Sequence, residues 1–176
     1  MNLNWYPIIV ESKQHLFDLD ITQSFKRSPE VYFQVHLMQD DSVQIFWRTE
    51  LSRDVFYQLT SKVMTLRNEL LHLKELLQTP EYYTEMEKVN PLQSAVMDEA
   101  EKQILLKLFH EGLKKNGRGG RDGHSFYMTF YYEPPKSSHF WCYVDLELSL
   151  AAQATNLIVQ KANLNPEFYG VRISNN

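Results

Sequence analysis

From Ser52 to Gln78, the residues Phe56, Leu59, Val63, Leu66, Leu70, Leu73 and Leu77 recur at alternating steps of three and four. That spacing is a heptad stripe of about three heptads, with no Gly or Pro inside it. Ser52 stands at an N-cap position, with Leu51 and Phe56 placed as a hydrophobic staple around it. Thr79-Pro80 ends the stretch, because the residue before a proline is pushed out of helical backbone angles. The pattern predicts one helix of roughly 27 residues, about 40 Å long.

A stripe this regular can zip two chains together or pack inside one. Lys62, Asn68 and His72 flank it, where a coiled coil would carry a ladder of opposite charges. The intramolecular reading is favoured, and a second predicted helix supplies the partner. Thr79-Pro80 starts a short helix over 80–88, and Asn90-Pro91-Leu92-Gln93 repeats the cap signal. A long helix over 91–115 follows, with Leu92, Val96, Ile104, Leu105, Leu108, Phe109 and Leu113 as its apolar residues and Asn116-Gly117 as its stop. The two long helices are expected to form an antiparallel pair.

Strands flank this pair. Residues 5–10 and 15–21 read as two N-terminal strands, with Pro7 placing the first at an edge or start. Val31, Phe33, Val35 and Leu37 alternate with polar residues, as do Val43, Ile45 and Trp47. Pairing Leu37 with Val43 puts both sets on one face and leaves a three-residue loop. A second hairpin joins Phe126, Met128, Phe130 and Tyr132 to Phe140, Cys142, Val144, Leu146 and Leu148. Tyr132 is set opposite Phe140, and 134–138 form the turn. Ser149 caps a third helix over 150–164, whose Ala151, Ala152 and Ala154 suit close packing on a sheet. Residues 168–173 add a last strand. The expected fold is α+β: a mainly antiparallel sheet, built from two β-hairpins with N- and C-terminal strands, on a long antiparallel helical pair and a C-terminal helix. The chain, 176 residues long, fits a single domain, 1–176.

Charge and cysteine usage narrow the function. A net charge of −4 argues against general nucleic-acid binding. The one basic concentration is Lys114, Lys115, Arg118 and Arg121 around a glycine-rich loop, which follows a helix and lacks a closing Lys-Ser or Lys-Thr pair. A solvated connector is the favoured reading of it. The single cysteine, Cys142, forms no internal disulfide and points to a reducing, cytoplasmic setting. No apolar run is long enough for a membrane span, and the first residues do not read as a signal peptide.

No metal or cofactor motif stands out. His36, His72 and His110 have no ligand-like neighbour at helical or strand spacing. His124 and His139 fall nine strand residues apart in the expected register, about 30 Å. His15 with Asp18 and Asp20 is the remaining cluster, at a spacing common by chance. Cys142 falls on the inward face with no histidine expected beside it, the pattern of a structural thiol.

The candidate binding residues are Tyr127, Tyr131, Trp141 and Tyr143, which share the outer face of the second hairpin, with Asp145 and Glu147 at its rim. Exposed Tyr and Trp beside carboxylates match the composition of protein-binding hot spots. Glu81, Glu85, Glu87, Asp98, Glu99 and Glu101 add an acidic patch able to steer a basic partner. The sequence thus points to a non-catalytic cytoplasmic protein-binding domain, with a small acidic inhibitor or immunity protein against a basic toxin or nuclease as its specific form. The alternative is an enzyme or small-ligand binder, with a pocket between sheet and helices lined by Tyr32, His36 and Arg48 under a lid bearing Arg118 and Arg121.

Overall fold

The computed structural model describes residues 8–23, 29–68, 72–113 and 123–173. The fold is α+β, with a six-stranded, wholly antiparallel sheet packed against helices. In chain order, β1 is Gln14–Gln23, β2 Val31–Leu37, β3 Val43–Thr49, β4 Gln93–Val96, β5 His124–Phe130 and β6 Lys136–Trp141. Their order across the sheet is β4-β3-β2-β1-β5-β6. β1 therefore sits in the middle and joins the two hairpins.

The first hairpin has the expected register: Leu37 opposite Val43, Val35 opposite Ile45, Phe33 opposite Trp47. Its loop closes with Met38 N–H donating to Ser42 O, and Asp41 takes the left-handed position at φ 61°. The second hairpin is also present, but slid by six residues: Phe126, not Tyr132, lies opposite Phe140. Six is an even number, so every side chain keeps its face. The slide brings Lys136–Ser138 into the strand and leaves 131–135, with Pro134 and Pro135, as the connection. Both registers keep Pro134 and Pro135, which cannot donate to the ladder, in the connection.

The helices differ more from expectation. α1 runs only over Arg53–Arg67, and Asn68 stops it in the left-handed conformation at φ 53°, ψ 34°. A four-residue helix, α2 (Leu73–Leu76), and α3 (Pro80–Val89) follow. Both expected caps are in place: Ser52 Oγ accepts from Val55 N–H at 3.4 Å, and Thr79 Oγ1 accepts from Tyr82 N–H at 3.2 Å. The stripe survives in part. Phe56, Leu59 and Val63 bury against Leu76, Leu77, Tyr82 and Met86 in a small second core, whereas Leu66 is 58% exposed. Leu70 lies outside the described residues, as do Trp5, Tyr6 and Pro7 of the expected first strand; 8–10 are not strand.

The expected helix over 91–115 divides into two elements. Gln93–Val96 pairs with β3 as β4, satisfying backbone groups of that strand's outer edge. The helix that follows, α4 (Glu99–Glu111), starts at a reciprocal capping box: Asp98 accepts from Glu101 N–H at 2.9 Å, and Glu101 accepts from Asp98 N–H at 2.7 Å. Asn90 instead ties β3 to α3. Its amide donates to Thr49 O at 2.8 Å and its carbonyl accepts from the buried Arg48 guanidinium, which also reaches Glu87 at 2.5 Å. The long antiparallel helical pair is thus replaced by two groups, α1–α3 around the second core and α4 beneath the sheet.

α4 packs the main core with α5 (Ser149–Lys161). Phe17, Leu19, Ile21, Val35, Ile45, Phe126, Met128 and Phe140 line the sheet side, and Leu105, Leu108, Ile158 and Val159 the helix side. Ala151, Ala152 and Ala154 are all buried there. Ser149 makes no cap bond, because a turn of 3₁₀ helix (Leu146–Leu148) leads directly into α5. The expected long strand 140–148 therefore ends early. β7 (Tyr143–Val144) continues it briefly and pairs in parallel with β8 (Arg172–Ile173), which follows α6 (Pro166–Tyr169).

The break at Asn68 has a test with a sign. In a continuous helix, Asn68→Ala would stabilise by about 0.5 kcal/mol through helix propensity. In the left-handed cap it destabilises by about 1 kcal/mol. We expect the loss, measured by urea unfolding, with Asn68→Gly close to neutral.

Candidate functional site

The face of the sheet opposite the main core carries the polar residues. Register places them in rows across the strands. Gln34, Asp18, Thr129 and Ser137 form one row; Tyr32, Asp20, Tyr127 and His139 form the next. Tyr131, just past β5, and His15 and His36 complete the surface.

Strict alternation along β1 would put His15 on the core face with Phe17. A β-bulge between His15 and Phe17 re-aims it, so that His15 and Asp18 share the open face. His15 Nε2 then lies 2.7 Å from Asp18 Oδ1. Tyr32 and Tyr131 hydroxyls donate to Asp18 Oδ2 at 2.8 and 2.5 Å. Gln34 donates to the Tyr32 oxygen at 3.0 Å, its carbonyl oxygen is 3.0 Å from His36 Nε2, and Ser12 Oγ is 2.9 Å from His36 Nδ1.

The proton positions follow from the order. Tyr32 and Gln34 both donate toward Asp18, so Gln34 Oε1 must accept, and His36 carries its proton on Nε2. Ser12 O–H then donates to His36 Nδ1. Every donor in the chain points toward one carboxylate. The rings are stacked as well: His15 lies 4.2 Å from His36 and 4.0 Å from Tyr131 between centroids. Burial, with His15 beside it, holds His36 down at about 4, a neutral imidazole. Burial and the neighbouring Asp18 raise the hydroxyls of Tyr32 and Tyr131 above the ordinary tyrosine value.

Asp20 meets the opposite fate two residues along the strand. Its Oδ1 is buried with no donor. Burial, then Asp18 and Glu30, push its carboxyl up to about 7.

The expected binding residues divide. Tyr127 and Tyr131 stand on the open face, 46% and 37% exposed, and Tyr143 is 45% exposed beyond it. Tyr127 stacks on the exposed His139 at 6.0 Å. Trp141 touches Tyr143 at 5.1 Å but packs partly against the main core. Gly123 is required beneath it: φ is +130°, and a Cβ there would lie 2.6 Å from Cys142 Sγ and 2.9 Å from Trp141 Nε1. Asp145 and Glu147 are exposed but lie at the 3₁₀ turn, off the aromatic strand face, because the strand ends before them.

Other expectations change too. The six-residue slide puts His124 directly across from Cys142, and separates His124 from His139 by three strand positions rather than nine. The Cys142 thiol is nonetheless buried and pushed up by that burial, so it is not an activated nucleophile. The acidic patch is largely spent on internal pairs: Glu81 with Arg67, Glu85 with Lys62 and Lys88, Glu87 with Arg48, Glu99 with Lys102, Glu101 with Lys161. Tyr32 and His36 belong to the Asp18 network, whereas Arg48 is tied to α3 and does not join them. Lys114, Lys115, Arg118 and Arg121 lie outside the described residues.

Among the described residues, two open cavities lie away from this face. One of about 490 Å³ lies between the end of α4 and Tyr132, Lys136 and Ser138; the other, of about 680 Å³, lies between α5 and Gly170–Arg172. Among the described residues, no group of three His, Cys, Asp or Glu is placed to hold a metal ion, and no helix is long and apolar enough to cross a membrane. No protein-family model, curated protein or solved structure matches the chain.

Sequence reasoning names His15, Asp18 and Asp20 as a cluster but sets it aside as chance spacing; the structure brings His15 to Asp18, with Tyr32 and Tyr131 unforeseen, and His15 reaches that face only through the bulge. A signal was present in Leu16-Phe17, two adjacent apolar residues that break the alternation and are both fully buried.

Asp20 and His36 give stability pH dependences of opposite sign. Asp20 is raised from 3.8, so its stabilising share is present below that value and is lost as pH rises through about 7. His36 is lowered from 6.5, so its share is present above that value and is lost as pH falls toward about 4. Asp20→Asn should therefore stabilise the protein at about pH 8 by roughly 2 kcal/mol, a discounted share of the three-unit shift. The gain should shrink as pH falls and vanish only below about pH 4 in denaturant titrations.

Proposed function

We propose that the chain is a non-catalytic protein-binding domain whose docking surface is the open aromatic face around β5 and β6. One observation carries this reading: Tyr127 and Tyr131 are exposed on the face of the sheet opposite the main core, and Tyr143 is exposed on the short strand just beyond it. Rigid, amphipathic tyrosines offer contact area at little conformational cost, which is why such residues anchor interfaces. The net charge of −4, with Asp18 and Asp20 on the same face, favours a basic partner. A small inhibitor of the immunity type, holding a basic toxin or nuclease, is the form that fits these properties. A reducing cytoplasm suits the free thiol of Cys142.

A second reading rests on His15. Its Nε2 is engaged by Asp18, its ring is clamped by stacking, and Nδ1 is left uncommitted, the arrangement of an oriented proton acceptor. A substrate turned over by the native chain but not by His15→Gln would favour it over pure binding.

For the binding role, the protein serves as bait, the captured partner is purified, and affinity is measured by calorimetry. Tyr127→Ala combined with Tyr143→Ala should weaken binding at least about tenfold, a hot-spot loss, with an unchanged melting temperature. Equal affinity of the variant would discard this surface. Trp141→Ala is unsuitable as a probe, since it also opens the core.

A further inference from the structure

We propose that the trough between Tyr127 and Tyr131 receives an arginine side chain of the protein partner; this rests on the binding role put forward above. β5 and the residue just past it present Tyr127, Thr129 and Tyr131 to the open face at alternate positions, so a short residue separates two long ones. The outer two Cα atoms are about 13 Å apart at strand spacing. Across the sheet, Thr129 lies opposite Asp18 on one side and Ser137 on the other, and its hydroxyl is 3.0 Å from that of Ser137. The floor is therefore short and polar. Each wall is a ring backed by a second ring: Tyr127 leans on His139 toward β6, and Tyr131 leans on His15 toward β1.

The trough has acidic groups on its β1 side, Asp18 and Asp20. Asp18 is held by two phenols and an imidazole, and Asp20, opposite Tyr127, has one oxygen without a donor. Among the described residues, no Lys or Arg forms an ion pair with either carboxylate. The chain already places guanidinium groups on tyrosines elsewhere: Arg53 over Tyr57 at 5.4 Å and Arg172 over Tyr143 at 5.8 Å. A guanidinium suits the trough better than an ammonium. It is flat, weakly hydrated and able to stack while its N–H groups fork toward oxygen acceptors.

The pH dependence of such binding follows from the surroundings of Asp20. Asp18 faces it from β1, Tyr32 from β2, Tyr127 from β5 and Glu30 from the segment entering β2, while the N-terminal ammonium acts on it with the opposite sign to the two carboxylates. An arriving cation favours ionised Asp20, so binding should tighten as pH rises.

The test titrates the full chain with N-acetyl-arginine amide, against N-acetyl-citrulline amide as the neutral isostere and N-acetyl-lysine amide as the ammonium. The readout is the NMR shifts of Tyr127, Thr129 and Tyr131. Saturable millimolar binding of the arginine probe is expected, with the citrulline probe weaker by about fivefold or more. Binding should be tighter at about pH 8 than at about pH 6. Asp20→Asn should reduce that pH dependence, and Tyr127→Ala should weaken binding about fivefold without changing the melting temperature. No saturation by roughly 50 mM, or equal binding of citrulline, would overturn the assignment; stronger binding of the lysine probe would overturn the choice of guanidinium. If the partner complex depends on Tyr127 and Tyr143 while the arginine probe does not bind, this inference falls and the binding role stands. Arginine binding, with no protein captured when the chain serves as bait, would overturn the partner assignment.

Discussion

One buried carboxylate sets the terms on which the two hairpins of this protein meet. β1 is the strand between them, pairing with β2 on one side and β5 on the other. Its core face, Phe17, Leu19 and Ile21, is completely buried. Its other face would be a weak point, because Asp18 is only 6% exposed and an unpaired buried charge costs several kcal/mol. Asp18 is instead met by a donor from each neighbour: Tyr32 from β2, Tyr131 from the end of β5 and His15 from its own strand. The group that would split the sheet thus becomes a point at which three segments are tied together. Because every donor is directional, it also fixes where Tyr131 and His15 point, and hence the shape of the surface above them.

Asp20 makes the contrast instructive. It lies on the same strand face, two residues along, and is also largely withdrawn from water. No comparable set of donors meets it, so burial and its acidic neighbours favour its neutral form. Two like charges on adjacent positions of one face are accommodated by satisfying one and suppressing the other. Folding does not require Asp20 to be acidic; an asparagine would meet the same packing without the electrostatic cost. The electrostatic cost of Asp20 is therefore no part of what holds the sheet together.

The parts of this fold legible in the sequence were those fixed by neighbours a few residues away. Alternation set the first hairpin's register, Ser52 and Thr79-Pro80 set helix starts, and the three alanines marked a close-packed face. What was not legible depended on distant partners. Residues 93–96 were read as helix from a cap signal at Asn90, but the open edge of β3 claims them as a strand. The second hairpin's faces were read correctly and its register was not, because alternation is blind to an even slide. The heptad stripe failed at Asn68, where three positions of local pattern could not reveal that the chain turns back to pack α1 on α3. The candidate site was half legible. The exposed tyrosines followed from alternation, while the carboxylate network needed a bulge and contacts from residues over 100 positions apart.

The same distribution of contacts separates surfaces used for folding from those left free. Near β3, the open face is engaged by Arg48, which reaches Asn90 and Glu87 at the end of α3 and so joins the second core to the sheet. The acidic residues around α3 and α4 are likewise engaged, each beside a lysine or arginine of this chain or in a helix cap. Around β5 and β6 the pattern reverses. Tyr127 makes a ring contact with a side chain that is itself exposed, and Tyr143 stands at the surface with Arg172. Large aromatic side chains left in water carry a solubility cost and add little to the stability of the sheet beneath them. A surface of that composition, on a scaffold stiffened from below by Phe126, Met128 and Phe140, is one that folding does not use, and it is the surface on which the proposed binding role rests.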